Sequence, residues 1–289
     1  MRLFPALLFV FLVLQTQAQI DPYKYSIEKK VTVQNGAVVS AHPLASKVGV
    51  SILKKGGNAF DAAIATQLAL AVVLPAAGNI GGGGFLVGHT SKGQSIALDY
   101  REKAPSAASR DMYLDKDGNA QTTISQNGHL ASGVPGTVAG LFATHAYAKL
   151  PFKQLIQPAI DLAEKGFVIT ESEASGLNAT MGSFVRYSSK QHAFIKYGGW
   201  KAGDTLVQKD LANTLKRIRD GGQKGFYEGE TARLIVAEMK RGGGMISLAD
   251  LKNYKAAKRE AMLSNYKGYT IIGMPLVSSG GLLIQQMMG

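Results

Sequence analysis

Apolar and polar positions alternate along the chain in blocks of helical and extended period. Residues 31–40 alternate loosely and predict a strand. Pro43 stands where a helix can begin, and residues 45–55 carry helical spacing that stops at Gly56-Gly57. Asn58 is placed to cap a second helix, with Asp61 at its third position near the positive end. That helix, residues 59–73, is apolar on nearly every face through Ala62, Ala63, Ile64, Leu68, Leu70, Val72 and Val73, so it needs cover on all sides. Its length and the polar Asp61, Thr66 and Gln67 exclude a membrane span.

The glycine run Asn79-Ile80-Gly81-Gly82-Gly83-Gly84 leads into two predicted strands, 85–89 and 95–100, with Lys92-Gly93 between them as a hairpin turn. Residues 115–119 predict a turn between 112–114 and 121–125. Helices are predicted over 137–149, 152–165, 210–220, 228–241 and 247–254, each flanked by glycine or a capping residue. Residues 260–265 and 269–273 predict strands around Lys267-Gly268. Residues 282–288 read as an apolar helix in need of a partner. Strands and helices come in groups rather than in strict alternation, which predicts a layered α+β fold and not a Rossmann-type parallel sheet.

Composition sharpens this picture. The chain has 289 residues, 46% hydrophobic and 18% charged, enough for a sizeable core and incompatible with wholesale disorder. There is no cysteine, which excludes disulfides, thiolate metal sites, iron–sulfur ligation and a cysteine nucleophile. The formal net charge is +12, but the basic residues are scattered as singles and pairs such as Lys54-Lys55 and Lys240-Arg241. Without a basic run, an RNA-binding aromatic motif or a zinc finger, this is a solvated basic surface and not a nucleic-acid site. At the N-terminus, Arg2, the apolar run 3–14 and Gln15-Thr16-Gln17-Ala18 have the order of a secretory signal peptide. We expect residues 1–18 to be removed and the mature region 19–289 to be periplasmic or secreted. The apolar run is too short to span a membrane.

Candidate chemistry is sparse. The glycine run lacks the Lys of a phosphate loop, and its helix-before, strand-after order reverses the dinucleotide fingerprint. It serves close backbone approach or positive φ, or it is a plain turn. No cofactor is implied. No serine sits in a G-x-S-x-G elbow, and the five histidines lack metal-ligand spacing. Asp115, Asp117 and Asn119 begin like a calcium loop, but the glycine position and closing Glu do not fit, so no metal is expected. Asn178-Ala179-Thr180 matches a glycosylation acceptor. The sharper feature is Arg101, within Asp99-Tyr100-Arg101-Glu102-Lys103-Ala104-Pro105 at the end of a predicted strand. Its planar fork can bind a carboxylate through two parallel hydrogen bonds. On residue chemistry alone, a surface ion pair with Asp99 or Glu102 is the stronger reading.

Several segments together resemble γ-glutamyltransferases (glutathione hydrolases) of the N-terminal-nucleophile superfamily. They are residues 56–65, beginning Gly56-Gly57-Asn58-Ala59-Phe60-Asp61, then Asn79 to Phe85, Asp99 to Pro105 and Ser132 to Gly140. Lys224 to Gly229, Met274-Pro275 and Ser278 to Gly281 follow in the same order. The ordered set covers almost all of residues 19–289. The resemblance implies an exported precursor that cuts itself into a large and a small subunit and folds as a four-layer αββα sandwich. It implies a nucleophilic Thr at the start of the small subunit, attacking γ-glutamyl donors such as glutathione. Water, an acceptor amino acid or a peptide then resolves the acyl-enzyme. It also implies that Arg101 binds the α-carboxylate of the glutamyl group, which reverses the reading from residue chemistry.

No Thr in this chain substitutes for that nucleophile; Thr144-His145 falls inside a predicted helix. We therefore expect the large-subunit region, stopping before the small subunit, with no catalytic residue in this fragment and Arg101 as its substrate-binding residue. Its own small subunit is the expected partner. Exposed strand edges and the apolar C-terminal helix predict poor solubility for this piece alone. Two other functions fit the same motifs: a related glutaryl or cephalosporin-type acylase, and a non-catalytic exported protein that binds carboxylates through Arg101.

Overall fold

Asn58 and the glycines before it delimit the first two helices as their chemistry requires. The computed structural model describes residues 31–188 and 191–288. The expected signal peptide lies outside the described residues. The chain divides into two units, Met1–Gln34 and Asn35–Gly289. In the described part of the first, Val31 and Val33 are exposed. Everything below concerns the second.

In chain order its elements are α1 (Pro43–Lys54), α2 (Ala59–Val73), β1 (Phe85–His89), β2 (Ser95–Asp99), α3 (Thr122–Gln126) and α4 (Thr137–His145). Next come α5 (Phe152–Lys165), β3 (Phe167–Val168), α6 (Glu171–Tyr187), β4 (Thr205–Leu206), α7 (Lys209–Gly221) and α8 (Lys224–Tyr227). The remainder is α9 (Gly229–Gly242), α10 (Leu248–Asn253), β5 (Ala257–Arg259), β6 (Met262–Tyr266), β7 (Tyr269–Gly273) and α11 (Gly280–Met288). The fold is α+β, as expected, and every strand pairing among the described residues is antiparallel.

The all-round apolar α2 is the hub. Leu68 and Val72 are fully buried in one cluster with Leu155, Ile156 and Ile160 of α5 and with Leu215 and Ile218 of α7. Burying each such side chain stabilises by roughly 1.5–3 kcal/mol. A reciprocal capping box starts α2: Asn58 Oδ1 accepts from the Phe60 and Asp61 N–H groups, and Asp61 accepts from the Asn58 N–H. Asp61 is fully buried and also accepts from the N–H groups of Lys149 and Leu150. Those two groups are therefore unavailable to a helix, which accounts for α4 ending at His145 rather than at residue 149.

One sheet matters for the site. Its order is β1-β2-β5, with Phe85 opposite Asp99 and Asp99 opposite Ala257. Ile96, Leu98 and Tyr100 pack with Phe60 of α2 in a second buried cluster. The end of β2 is thus tied to the hub.

One expectation changes, and two helices appear where none was predicted. Residues 31–40 form no strand; Val39 is exposed, and no strand among the described residues pairs with them. Residues 121–125 fall largely in the short helix α3. Helix α6 has no counterpart among the predicted elements, because only Ala174 and Leu177 of it are buried and it shows no apolar stripe.

Candidate functional site

The segment after β2 is held by its main chain, which frees its side chains for other work. Gly84 and Tyr100 exchange both backbone hydrogen bonds. The Tyr100 ring is buried, and its hydroxyl donates to the Phe85 carbonyl at 3.2 Å. Burial pushes the phenol pKa up, so this donor stays protonated. Five glycines make room for the segment. A Cβ on Gly83 would lie 2.8 Å from the Arg101 Cα, and one on Gly136 would lie 2.0 Å from the Tyr100 carbonyl oxygen. Gly84, Gly133 and Gly140 meet Tyr100 or Glu102 in the same way. None of these five has positive φ. Of the readings the sequence left open for the glycine run, close backbone approach is the one realised. The Gly82 carbonyl also accepts from the Gly136 and Thr137 N–H groups, capping α4 where no side chain does.

Arg101 itself is clamped at both peptide groups. Its N–H donates to Asp99 Oδ1 at 3.1 Å. Its carbonyl accepts from the Tyr254 hydroxyl at 2.6 Å. Tyr254 stacks on Tyr227 with the rings 4° from parallel, and the Tyr227 hydroxyl donates to the Pro135 carbonyl. Burial, with the nearby carboxylates of Asp99 and Glu102, pushes the Tyr254 pKa up to about 12. Downstream, Lys103 exchanges backbone hydrogen bonds with Val134, and Lys103 Nζ donates to the Lys255 carbonyl. The Ser106 N–H donates to Asp250 Oδ1 at 2.9 Å. Asp250 also closes the capping box of α10 with Ser247.

The Arg101 side chain is exposed, and among the described residues its guanidinium has no hydrogen bond or ion pair. The surface ion pair with Asp99 does not form. Asp99 Oδ2 is instead taken by Arg259 of β5, through Nε at 3.2 Å and Nη2 at 2.8 Å. The stem of Glu102 lies against Gly133. Arg101 is thus an unpaired, planar donor on a fixed backbone, suited to a carboxylate brought by a ligand.

The other candidates are occupied elsewhere. Thr144 is buried inside α4, and its Oγ1 donates to the Gly140 carbonyl. His42 caps α1 through Nδ1 and meets Glu173 through Nε2. His129 meets Glu238, and His145 meets the Leu150 carbonyl. Asp115 folds its own turn by accepting from the Asp117 and Asn119 N–H groups. Both ends of the Asn178 amide bind the main chain of Trp200, so the apparent glycosylation acceptor does structural work. Ser278 Oγ accepts from the Gly280 N–H at the start of α11, as a cap. Of the supports of Arg101, sequence reasoning named Asp99 only as a possible ion-pair partner and did not single out Tyr254, Asp250 or Arg259. The Ser247-x-x-Asp250 capping pattern is the one local signal among them.

Comparison with known proteins places these features in context. A family model described as Gamma-glutamyltranspeptidase matches residues 45–289. A glutathione hydrolase proenzyme from Pseudomonas sp. (strain A14) is 48% identical over 261 residues, covering 89% of this chain and 45% of that protein. The crystal structure of Helicobacter pylori gamma-glutamyltranspeptidase superposes with a TM-score of 0.87 at 48% identity, over 90% of this chain and 75% of that one. A cephalosporin acylase from Bacillus halodurans superposes with a TM-score of 0.75 at 28% identity, over 89% of this chain and 49% of that one. The chain spans about half the length of the curated relatives it matches.

Proposed function

The chain belongs to the gamma-glutamyltranspeptidase family, and from that premise we propose that it supplies the carboxylate-recognition part of an enzyme that transfers or hydrolyses γ-glutamyl groups. Arg101 binds the α-carboxylate of the donor, glutathione or another γ-glutamyl amide, through two parallel hydrogen bonds. The clamped backbone fixes where that carboxylate sits, and with it the γ-amide a few bonds away. The nucleophile is the Thr that opens a small subunit, with its own α-amine as base. Attack on the γ-amide carbon gives a tetrahedral oxyanion held by small-subunit donors. Collapse expels the amine as leaving group and leaves a γ-glutamyl ester on the Thr. Water or the amine of an acceptor amino acid or peptide then takes the acyl group. The enzyme works in the periplasm or the medium after removal of residues 1–18. No helix of the described residues is long and apolar enough to cross a membrane.

The observation that carries this reading is the unpaired guanidinium of Arg101 on a backbone held at both peptide groups. The higher identity to a glutathione hydrolase than to a cephalosporin acylase supports a γ-glutamyl donor over a glutaryl one. The test is Arg101→Lys in the protein as its gene encodes it. A point charge replaces a fork, so KM for glutathione rises about tenfold or more while self-cleavage persists. An unchanged KM would sink the assignment.

A further inference from the structure

The carboxylate of Asp99 holds the backbone N–H of one arginine and the guanidinium of another. Asp99 and Arg101 are two residues apart, and the Asp99 carboxylate already accepts the Arg101 N–H. The Asp99 side chain is only 10% exposed, so it cannot rely on water to hold its charge. Oδ1 accepts the Arg101 N–H, and Oδ2 accepts both donors from Arg259. Arg259 reaches it diagonally across the β2–β5 pairing, in which Ala97 faces Arg259 and Asp99 faces Ala257. We infer that Arg259 is a positioning residue: by occupying Asp99 it keeps the Arg101 guanidinium free for the substrate's carboxylate.

This rests on the reading of Arg101 given above. Without Arg259, Asp99 keeps one backbone donor and an unpaired charge at a largely buried position. The arginine whose N–H the carboxylate still holds is Arg101, two residues along the chain. The other charged groups on the segment are turned to other uses: the stem of Glu102 lies on Gly133, and Lys103 Nζ binds the Lys255 carbonyl over the Tyr254 ring. An internal carboxylate two residues away then competes with the ligand's carboxylate at high effective concentration.

The test is a kinetic cycle on the protein as its gene encodes it, with γ-glutamyl-p-nitroanilide as donor. Arg259→Ala raises KM about tenfold and leaves kcat within about twofold, since the charge pairs act on binding. Adding Asp99→Asn restores KM to within about threefold of wild type, because the amide oxygen still accepts the Arg101 N–H while the competing charge is gone. A merely structural role for Arg259 predicts no such rescue. Should Arg259→Ala fail to accumulate, Asp99→Asn alone is compared with the double variant, and their KM values agree within about threefold. An unchanged KM in Arg259→Ala, an absent rescue, or a larger gap in that last comparison overturns the inference. Arg101→Gln, run in parallel, separates the two failures. If it too leaves KM unchanged, the function proposed for Arg101 fails; if it raises KM and Arg259→Ala does not, only the role of Arg259 fails.

Discussion

The carbonyl of Arg101 is held by a phenol whose pKa is pushed up by burial and by the carboxylates of Asp99 and Glu102. With a pKa of about 12, Tyr254 does not ionise in the physiological range, so the clamp is insensitive to pH there. Tyr254→Phe deletes the 2.6 Å hydrogen bond and keeps the stack on Tyr227. It should cost about 1 kcal/mol of stability and raise KM for a γ-glutamyl donor more than it lowers kcat. Denaturant unfolding and initial rates check the two halves of that statement. At this scale the sequence was partly legible. Arg101 stood out at a strand end before an X-Pro break, but residue chemistry alone favoured a surface ion pair, and the family resemblance was needed to reverse that reading. Arg259 did not stand out, because it lies 160 positions from Asp99 and no local pattern joins them. The carboxylate that the sequence offered to Arg101 is taken instead by that distant arginine.

The elements show why capping chemistry was readable and amphipathic stripes were less so. Asn58-x-x-Asp61 and Ser247-x-x-Asp250 each place a carboxylate three residues after a cap, and both start helices where the sequence predicts. Helix α6 has the same signature in Thr170-x-x-Glu173, yet a helix with two buried residues offers no stripe to confirm it. Helix α10 carries a pH prediction. Partial burial pushes the Asp250 pKa up, but hydrogen bonds from Ser247 and from the Ser106 N–H outweigh it and hold it at about 2, below an ordinary value of 3.8. A depressed folded-state pKa contributes stability that is fully present above the unfolded value. That contribution is lost as pH falls from about 4 through about 2, and with it the anchor of the loop that carries Arg101. Asp250→Asn should flatten stability against pH in that window, measured by denaturant unfolding; equal slopes in variant and wild type would refute the anchor.

At the scale of the whole molecule, the α+β class followed from grouped helices and strands, and the buried hub followed from an all-round apolar helix. The pairing of β2 with β5 did not, because antiparallel neighbours distant in sequence leave no trace in local period. The apolar residues of α11 behave as the sequence suggests: Leu283 is 49% exposed and Met287 is 77% exposed, a surface that favours association of this chain on its own. The central claim joins these scales: a packed hub holds a strand, the strand end holds a backbone, and the backbone presents one free guanidinium to a ligand's carboxylate. The most direct test is a cycle between protein and substrate. It compares kcat/KM for γ-glutamyl-p-nitroanilide and for 4-aminobutanoyl-p-nitroanilide, which lacks only the α-carboxylate, in wild type and in Arg101→Gln. Wild type should prefer the carboxylate-bearing donor by about a hundredfold, and Arg101→Gln should abolish most of that preference. A preference that survives the substitution intact would contradict the account.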